Sequence, residues 1–208
     1  MFERFPSLTR FSQGWSISEK IDGTNAQVII DNLASSDDVH WKDKALAHIP
    51  DEFGGLFIFA GSRSKLITPK KDNFGFARWV QQNAEMLVTT LGQGRHFGEW
   101  WGVGIQRGYN ISERRFSLFN TFRWKQEELI AGLHVVPSLM FNDYCEDPGT
   151  VAKECLERLR NEGSLAAPGF MNPEGIVMYH RKSGTSFKKT FDYDEHGKWM
   201  EQQEARTE

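Results

Sequence analysis

A short polar segment that ends in a turn provides the first candidate for chemistry. Residues 18–25 read SEKIDGTN, which places Lys20 two residues before the dipeptide Asp22-Gly23 and just ahead of an apolar run that begins at Ala26. Because Asp-Gly is a common turn dipeptide, one interpretation is an ordinary polar hairpin turn. The other is that Lys20 is a nucleophile, which requires burial or neighbouring cations to hold its amine in the neutral form.

Three further segments carry charged residues in settings that could serve a site. Glu99 alternates with large aromatic residues in HFGEWWG, and Glu174 begins the apolar run EGIVM. Lys188 and Lys189 are neighbours in FKKTF, so on a strand they would face opposite sides and at most one would face a given pocket. Each segment also has a structural interpretation, either as a half-exposed strand glutamate or as a lysine whose stem covers apolar surface.

The elements that would position these residues are mostly strands. Short runs rich in β-branched and aromatic residues and bounded by Gly, Asn or Pro predict strands over 26–31, 55–60, 95–101, 116–124, 133–136, 175–179 and 185–191. Apolar residues at helical spacing predict a helix over 73–91 and another over 148–161, the second with Asp147 as its N-cap. A shorter amphipathic piece covers 39–47. The class is therefore α+β rather than a repeated βαβ array.

The charged segments belong to a longer ordered series. In chain order it reads KxDG, SRS at 62–64, FGE, FSLFN at 116–120, EGIV and FKK. The series resembles the covalent nucleotidyltransferases, the superfamily of ATP-dependent DNA and RNA ligases and mRNA capping enzymes. EKIDGTN, FGEWWG and PEGIVMYH are most similar to the RNA-ligase branch, in particular to the second class of phage RNA ligases and its bacterial relatives. The resemblance covers about residues 6 to 191.

This resemblance implies both a fold and a reaction. The fold would be a nucleotidyltransferase ligase core, ATP-grasp-like, with two antiparallel sheets and flanking helices around a nucleotide cleft. The reaction would be ATP-dependent RNA ligation, in which the protein adenylates itself on Lys20, transfers AMP to an RNA 5′-phosphate and seals that end to a 3′-OH. A minimal ATP-dependent DNA ligase core is one alternative. A catalytically lapsed nucleotide- or nucleic-acid-binding module is the other.

The resemblance also assigns catalytic and metal-binding roles by matching motifs. Lys20 and Lys188 would be catalytic, Lys20 as the nucleophile that attacks the α-phosphate of ATP and Lys188 as a contact to that phosphate. Glu174 would hold the divalent metal, Mg²⁺ or Mn²⁺, near the same phosphate. The residues matched to nucleotide binding are Glu19, Ile21, Arg63, Glu99, Phe119, Glu174 and Lys188.

Three of these positions carry more specific implications. Glu99 matches an acid that binds the ribose, and Arg63 matches an arginine that contacts the ribose or a reacting phosphate. Phe119 matches the aromatic residue that stacks on adenine, and Asn120 follows it where the family usually has Asp.

The substrate-phosphate positions are Asn25 and Lys189. Asn25 matches an asparagine tied to the later, strand-joining steps. The last motif usually reads KxK, but Thr190 stands at its second lysine. Either Lys189 substitutes for that lysine or one phosphate contact is missing.

Composition limits the remaining possibilities. The chain has 208 residues, of which 39% are hydrophobic and 25% charged, and its net charge is −3. No apolar run approaches the roughly 20 residues of a membrane helix, and the N-terminus has no apolar signal region. Two cysteines are too few for a disulfide framework or a Cys-rich zinc site. We therefore expect a cytoplasmic protein with no membrane partner.

The domain prediction is an adenylyltransferase domain over 1–191 and an acidic tail over 192–208. The tail holds six acidic and two basic residues. Its length leaves no room for an OB-fold domain, so we expect none. The expected partner is RNA with 5′-phosphate and 3′-OH ends, bound by a monomer that an accessory protein or domain could assist.

Overall fold

The computed structural model of the chain describes residues 8–33, 37–50, 52, 54–129 and 132–191, so the predicted acidic tail over 192–208 lies outside the described residues. The strands in this part are β1 (Gln13–Lys20), β2 (Thr24–Asp31), β3 (Ala47–Ile49), β4 (Leu56–Ser62), β5 (Leu66–Ile67), β6 (Gly94–Gly102), β7 (Arg114–Leu118), β8 (Leu133–Val135), β9 (Ser138–Tyr144), β10 (Gly175–His180) and β11 (Thr185–Thr190). The α-helices are α1 (Phe76–Gln82), α2 (Ala84–Leu91) and α3 (Pro148–Glu162), and 3₁₀ segments cover Asp37–Lys44 and Gln126–Glu128.

The described residues divide into two compact units. The first consists of residues 8–21 and 136–191, and the second of residues 22–129 and 132–135. The chain passes from the first unit to the second inside the KIDG segment, between Ile21 and Asp22. The sequence analysis gave one adenylyltransferase domain over 1–191, and that domain assignment stays a prediction.

The first unit is a four-stranded antiparallel sheet with α3 on one face. Its strand order is β11-β10-β1-β9. The core on the helix side consists of Ile17, Ala152, Cys155, Leu156, Leu159 and Ile176. α3 begins as predicted, because the Asp147 carboxylate accepts hydrogen bonds from the backbone N–H groups of Gly149 and Thr150 and satisfies donors that the first helical turn leaves free.

The second unit is a seven-stranded sheet covered by α1 and α2. Its order is β3-β4-β2-β6-β7-β8, with β5 paired to β4. The main core joins the two helices to inward-facing strand residues, including Val28, Ile30, Ile58, Phe76, Val80, Leu87, Leu91 and Phe116. β7 and β8 run parallel, whereas the other pairs in this sheet are antiparallel.

The α+β class with two sheets and flanking helices is confirmed. The second sheet is not wholly antiparallel as predicted, because β7 and β8 pair in parallel, and several element boundaries also differ from the sequence prediction. The helix predicted over 73–91 is two helices, because the Asn83 side-chain amide donates to the Trp79 carbonyl oxygen at 2.7 Å and the backbone leaves helical geometry at Asn83. The amphipathic piece predicted over 39–47 was wrong as an α-helix, since a 3₁₀ segment over Asp37–Lys44 precedes β3 there. β1, β3, β5 and β9 were not predicted as strands. No helix in the described ranges is long and apolar enough to cross a membrane.

Candidate active site

Lys20 is the last residue of β1 and pairs with Glu174. Its Nζ lies 2.6 Å from Glu174 Oε2, with about a fifth of each side chain exposed (23% and 17%). Glu174 immediately precedes β10, and its carbonyl oxygen accepts a hydrogen bond from the Phe191 backbone N–H at 3.0 Å. Both charged groups are therefore held by the ends of strands in the first unit, and both remain accessible to a small ligand.

The glycine that follows Glu174 allows this arrangement. Gly175 lies directly opposite Lys20 in the pairing of β1 with β10, and opposite Thr190 in the pairing of β10 with β11. Its φ is +149°, and a Cβ at this position would overlap the carbonyl oxygen of Lys189. Only glycine fits such a close approach of two backbones, so the Glu-Gly dipeptide has a structural basis.

The two neighbouring lysines of β11 face opposite sides of the first sheet. Lys188 lies opposite Val177 and Lys189 lies opposite Ile176. Because residues directly opposite in an antiparallel pair share a face, Lys189 is on the side of the buried Ile176 and α3. Lys188 is exposed and is on the same face as Lys20, one row further along the strands.

The two residues flanking Lys20 are buried. Ile21 is 3% exposed, which leaves only its backbone for a nucleotide contact. Glu19 is 1% exposed, and its carboxylate accepts hydrogen bonds from Ser164 Oγ, Leu165 N and Ala166 N. Burial raises the pKa of Glu19 above its ordinary value, and the three donors oppose part of that rise.

In the second unit, Asn25 joins an acid and an arginine. Asn25 lies opposite Glu99 in the pairing of β2 with β6, and its Nδ2 donates to Glu99 Oε2 at 3.0 Å. Its Oδ1 accepts from Arg63 Nε at 2.8 Å. The Glu99 side chain is buried, whereas Arg63 is exposed. This arrangement fixes the orientation of the Asn25 amide and presents Arg63 as a cation at the edge of the group.

Phe119 lies next to this group on the same sheet face. Its backbone N–H donates to the Phe97 carbonyl oxygen at 3.0 Å, which extends the pairing of β6 with β7 by one residue. Phe119 is 42% exposed and Phe97 is 52% exposed. Asn120 Oδ1 accepts from the backbone N–H groups of Phe122 and Arg123, as an aspartate would, and so closes the following turn.

The Asp-Gly turn is anchored within the second unit. Asp22 Oδ2 accepts from Arg107 Nε at 3.0 Å, and the Asp22 N–H donates to the buried Tyr109 hydroxyl at 2.7 Å. A Cβ on Gly23 would lie 2.6 Å from the Trp100 carbonyl oxygen, so the turn approaches β6 too closely for any other residue. The hairpin interpretation considered above is wrong, because β1 pairs with β9 and β10 whereas β2 pairs with β4 and β6, so the Asp22-Gly23 turn does not join two paired strands.

A family model described as RNA ligase matches residues 13–200. The chain belongs to the RNA ligase family. This confirms the resemblance noted from KxDG, FGE and EGIV. No curated protein matches the sequence.

Solved structures similar to this family member come from Naegleria gruberi. A variant of the Naegleria gruberi RNA ligase with ATP and Mn is 15% identical and has a TM-score of 0.55, over 90% of this chain and 52% of that chain. Another variant, with AMP and Mn, is 17% identical with a TM-score of 0.52 over 87% and 50% of the two chains. The same ligase with pyrophosphate is 15% identical with a TM-score of 0.50 over 89% and 52%. These matches support the fold, and the chain spans about half the length of the ligase chains it matches.

Four residues that the motif assignments did not include lie beside predicted site residues or beside the Asp22-Gly23 turn. They are Phe97, Arg107, Tyr109 and Ser164. Phe97 had a usable signal, because it stands two residues before Glu99 and therefore on the same strand face. The other three are far from their partners in the chain, and local pattern carries no information about them.

Proposed function

We propose that this chain is an ATP-dependent RNA ligase core that forms a covalent lysyl-AMP on Lys20, transfers the AMP to an RNA 5′-phosphate and seals that end to a 3′-OH. The observation that carries the proposal is the Lys20–Glu174 pair, with 2.6 Å between Nζ and Oε2, inside a chain of the RNA ligase family. The Lys20 amine is accessible at the end of a strand, and its carboxylate partner fixes its position, as a nucleophile that must meet a phosphate in one geometry requires.

In the first step a bond forms between Lys20 Nζ and the α-phosphorus of ATP. The bond from that phosphorus to the bridging oxygen breaks, pyrophosphate leaves with the electron pair, and the amine releases a proton to solvent. Lys188 lies on the same sheet face as Lys20 and supplies a positive charge for the oxygens on which negative charge develops.

The Glu174 carboxylate fits a divalent cation, because oxygen donors are the preferred ligands of Mg²⁺ and Mn²⁺. The described residues contain no group of three or more His, Cys, Asp or Glu side chains that could hold a metal. Phosphate oxygens and water would therefore supply the other ligands. A cation bound at Glu174 would neutralise phosphate charge and disfavour the protonated form of Lys20.

The residues of the second unit are proposed to bind the nucleoside of ATP. Glu99 would accept hydrogen bonds from the ribose, and Arg63 would contact the ribose or a phosphate. Phe119, with 42% of its surface exposed, offers a face on which adenine can stack. A variant of the Naegleria gruberi RNA ligase with ATP and Mn has a similar fold, which supports nucleotide binding by this chain.

The later steps consume the AMP carried by Lys20. An oxygen of the RNA 5′-phosphate attacks the α-phosphorus, the phosphorus–nitrogen bond breaks, and Lys20 recovers its proton. The 3′-OH of the second RNA end then attacks the activated 5′-phosphorus and AMP leaves. Asn25 is proposed to contact a substrate phosphate. Lys189, which the sequence also suggested for this role, lies on the α3 face of the sheet, opposite the face of Lys20, and is not proposed for it.

The test compares joining of matched RNA and DNA substrates. Nicked duplexes with a 5′-phosphate and a 3′-OH are incubated with the protein, ATP and Mg²⁺, and the 5′-OH substrate is the control. We expect sealing of RNA ends that requires ATP and the 5′-phosphate. Lys20→Ala should lose this activity but still seal a chemically pre-adenylated RNA end without ATP, because the last step does not use the lysine as a nucleophile.

Two results would favour the alternatives. Sealing of DNA ends in preference to RNA ends would indicate a DNA ligase core. ATP binding without any sealing, even of the pre-adenylated end, would indicate a binding module.

A further inference from the structure

The Glu19 carboxylate is buried and accepts three hydrogen bonds from one segment of the chain. Ser164 Oγ donates to its Oε1 at 2.5 Å, and the backbone N–H groups of Leu165 and Ala166 donate to its Oε2 at 2.8 and 3.0 Å. Ser164 is 2% exposed and its hydroxyl oxygen also accepts from Ala167 N at 3.1 Å. Two consecutive N–H groups and a hydroxyl thus converge on one buried carboxylate.

This environment leaves the Glu19 side chain no access to a nucleotide. Both carboxylate oxygens already accept hydrogen bonds, and the residue is 1% exposed. A buried charged or polar group without partners destabilises the folded state, so these contacts are needed to keep the side chain where it is. The role of Glu19 must therefore be sought in what its partners do.

The partners of Glu19 belong to one irregular segment. Residues 163–174, here called the 163–174 loop, connect α3 to β10 and contain no helix or strand. The loop closes on itself through Ser164 N to Phe170 O at 2.8 Å and Phe170 N to Ala167 O at 3.0 Å. Glu19 binds the start of this loop, and the loop ends at Glu174.

Consecutive residues of β1 thus contact the two ends of the 163–174 loop. Successive strand residues face opposite sides of a sheet, and Glu19 lies opposite Ile176 on the helix side, whereas Lys20 lies opposite Gly175. Glu19 binds the 164–166 backbone, and Lys20 Nζ reaches Glu174 Oε2 at 2.6 Å.

We infer that Glu19 is a positioning residue, which fastens the 163–174 loop to β1 and so holds Glu174 in register with Lys20 for self-adenylation. This inference rests on the proposed function of Lys20. Glu174 is also held by the Phe191 N–H, so loss of Glu19 should loosen the pair rather than abolish it. We expect a loss of about 10- to 100-fold in the adenylation rate, since a displacement of about 1 Å can reduce a rate by about 10².

The experiment measures single-turnover self-adenylation of the full chain after pyrophosphate has removed any AMP already bound to the protein. The amplitude of labelling reports the fraction of active protein, and the first-order rate constant at saturating ATP reports the chemical step. The variants are Glu19→Ala, Ser164→Ala and the conservative Glu19→Gln. The control is Leu159→Ala, which removes a fully buried α3 side chain from the same unit and leaves Glu19 and its hydrogen-bond donors unchanged.

We expect Glu19→Ala to lower the rate constant 10- to 100-fold with little change in the ATP concentration for half-maximal rate. Ser164→Ala should act in the same direction, and the double variant should be little worse than Glu19→Ala, because both remove one interaction. Glu19→Gln keeps an oxygen acceptor for the two N–H groups and should recover most of the rate. Leu159→Ala should lower the amplitude and the melting temperature but not the rate constant.

Hydrogen exchange gives a second measurement that does not depend on activity. The Leu165 and Ala166 amides should exchange faster in Glu19→Ala and remain largely protected in Glu19→Gln. In Leu159→Ala their exchange, compared with that of other amides of the same unit, should not change. Unchanged protection in Glu19→Ala would overturn the inference, because the contacts would then not hold the loop.

Other outcomes identify which claim fails. A Glu19→Ala variant that loses only amplitude, as Leu159→Ala does, would show a merely structural role. If Glu19→Ala needs a higher ATP concentration for half-maximal rate but has an unchanged rate constant at saturating ATP, Glu19 contacts the nucleotide. Both results would overturn the positioning role but not the proposed function, because the wild type would still be labelled with AMP. Absence of label in the wild type would instead overturn the proposed function and this inference together.

Discussion

Lys20 and Glu174 are 154 residues apart in the chain, yet their charged atoms lie 2.6 Å from each other. In this arrangement Nζ donates to the carboxylate, whereas an attack on phosphorus needs the lone pair of the amine to face the nucleotide. The pair therefore represents a resting arrangement in which Glu174 both orients and restrains the proposed nucleophile. In the proposed reaction a divalent cation would bind the Glu174 carboxylate in place of Lys20, and this gives the first prediction.

Glu174→Ala should reduce self-adenylation by about 10²–10³-fold, the usual effect of losing one electrostatic stabiliser. The loss should not be recovered by raising the Mg²⁺ or Mn²⁺ concentration, because the carboxylate ligand is gone. The measurement is the rate of AMP incorporation across a metal titration. Glu162→Ala is the control, since Glu162 is an exposed acid on α3 whose partner is Arg158. Equal effects of the two substitutions would contradict the role of Glu174.

Lys188→Ala should also reduce self-adenylation by about 10²–10³-fold, whereas Lys189→Ala should do much less. The physical reason is the strand alternation that places Lys188 on the face of Lys20 and Lys189 on the face of Ile176. The two adjacent variants serve as matched controls for each other in the same labelling assay. A larger loss at Lys189 would mean that the lysine motif is assigned one residue out of register.

Phe119→Ala should weaken the use of ATP by about 1–3 kcal/mol, the scale of one base–aromatic stacking contact. This appears as a rise in the ATP concentration for half-maximal labelling. Phe97→Ala is the matched comparison, because Phe97 is the neighbouring exposed phenylalanine on the same face. If Phe97→Ala has the larger effect, the stacking residue is Phe97 and the motif match to Phe119 is wrong.

The buried carboxylate of Glu19 predicts a dependence of stability on pH. Its pKa is raised in the folded protein, chiefly by burial, from an ordinary value of 4.5. As the pH rises above 4.5, the unfolded chain therefore loses this proton before the folded protein does. Because the folded state then binds more protons than the unfolded state, the free energy of unfolding falls until the pH passes the raised pKa. Below pH 4.5 both states hold the proton and the effect disappears.

Glu19→Gln removes this titration, so the free energy of unfolding of the wild type relative to Glu19→Gln should decrease as the pH rises from 4 towards 7. Denaturant unfolding of both proteins at a series of pH values measures the difference. A difference that increases with pH would show that the donors from Ser164, Leu165 and Ala166 outweigh burial and lower the pKa.

Sequence reasoning was most successful where the signals are local. The Asp147-Pro148 pair and the apolar stripe that follows it predicted α3 nearly to its ends. The break between α1 and α2 was missed because the 3.6-residue apolar period continues through Asn83, whose amide competes for a helical carbonyl only once the helix has formed. β1 was missed because QGWSISEK has polar residues at positions that the sheet buries, such as Ser16 and Glu19.

The candidate site needed more than local pattern. The ion pair of Lys20 with Glu174 spans 154 residues and the contact of Glu19 with Ser164 spans 145. No periodicity or turn signal contains such pairings, since they depend on which strands pair and in which register. The ordered series of motifs indicated the first pairing through the family resemblance. Nothing in it indicated Ser164, or that Tyr109 and Arg107 hold the Asp22-Gly23 turn.

The central claim is that Lys20 becomes covalently bound to AMP. The most direct measurement is incubation of the protein with Mg²⁺ and ATP labelled at the α-phosphate. The stability of the protein-bound label in acid is then measured, and the labelled residue is identified by peptide mapping. Lys182→Ala is the control for Lys20→Ala, because Lys182 is an exposed lysine of the same unit that contacts Gln13. We predict one acid-labile label on Lys20, lost in Lys20→Ala and retained in Lys182→Ala. Label on a different residue, or normal labelling of Lys20→Ala, would contradict the account.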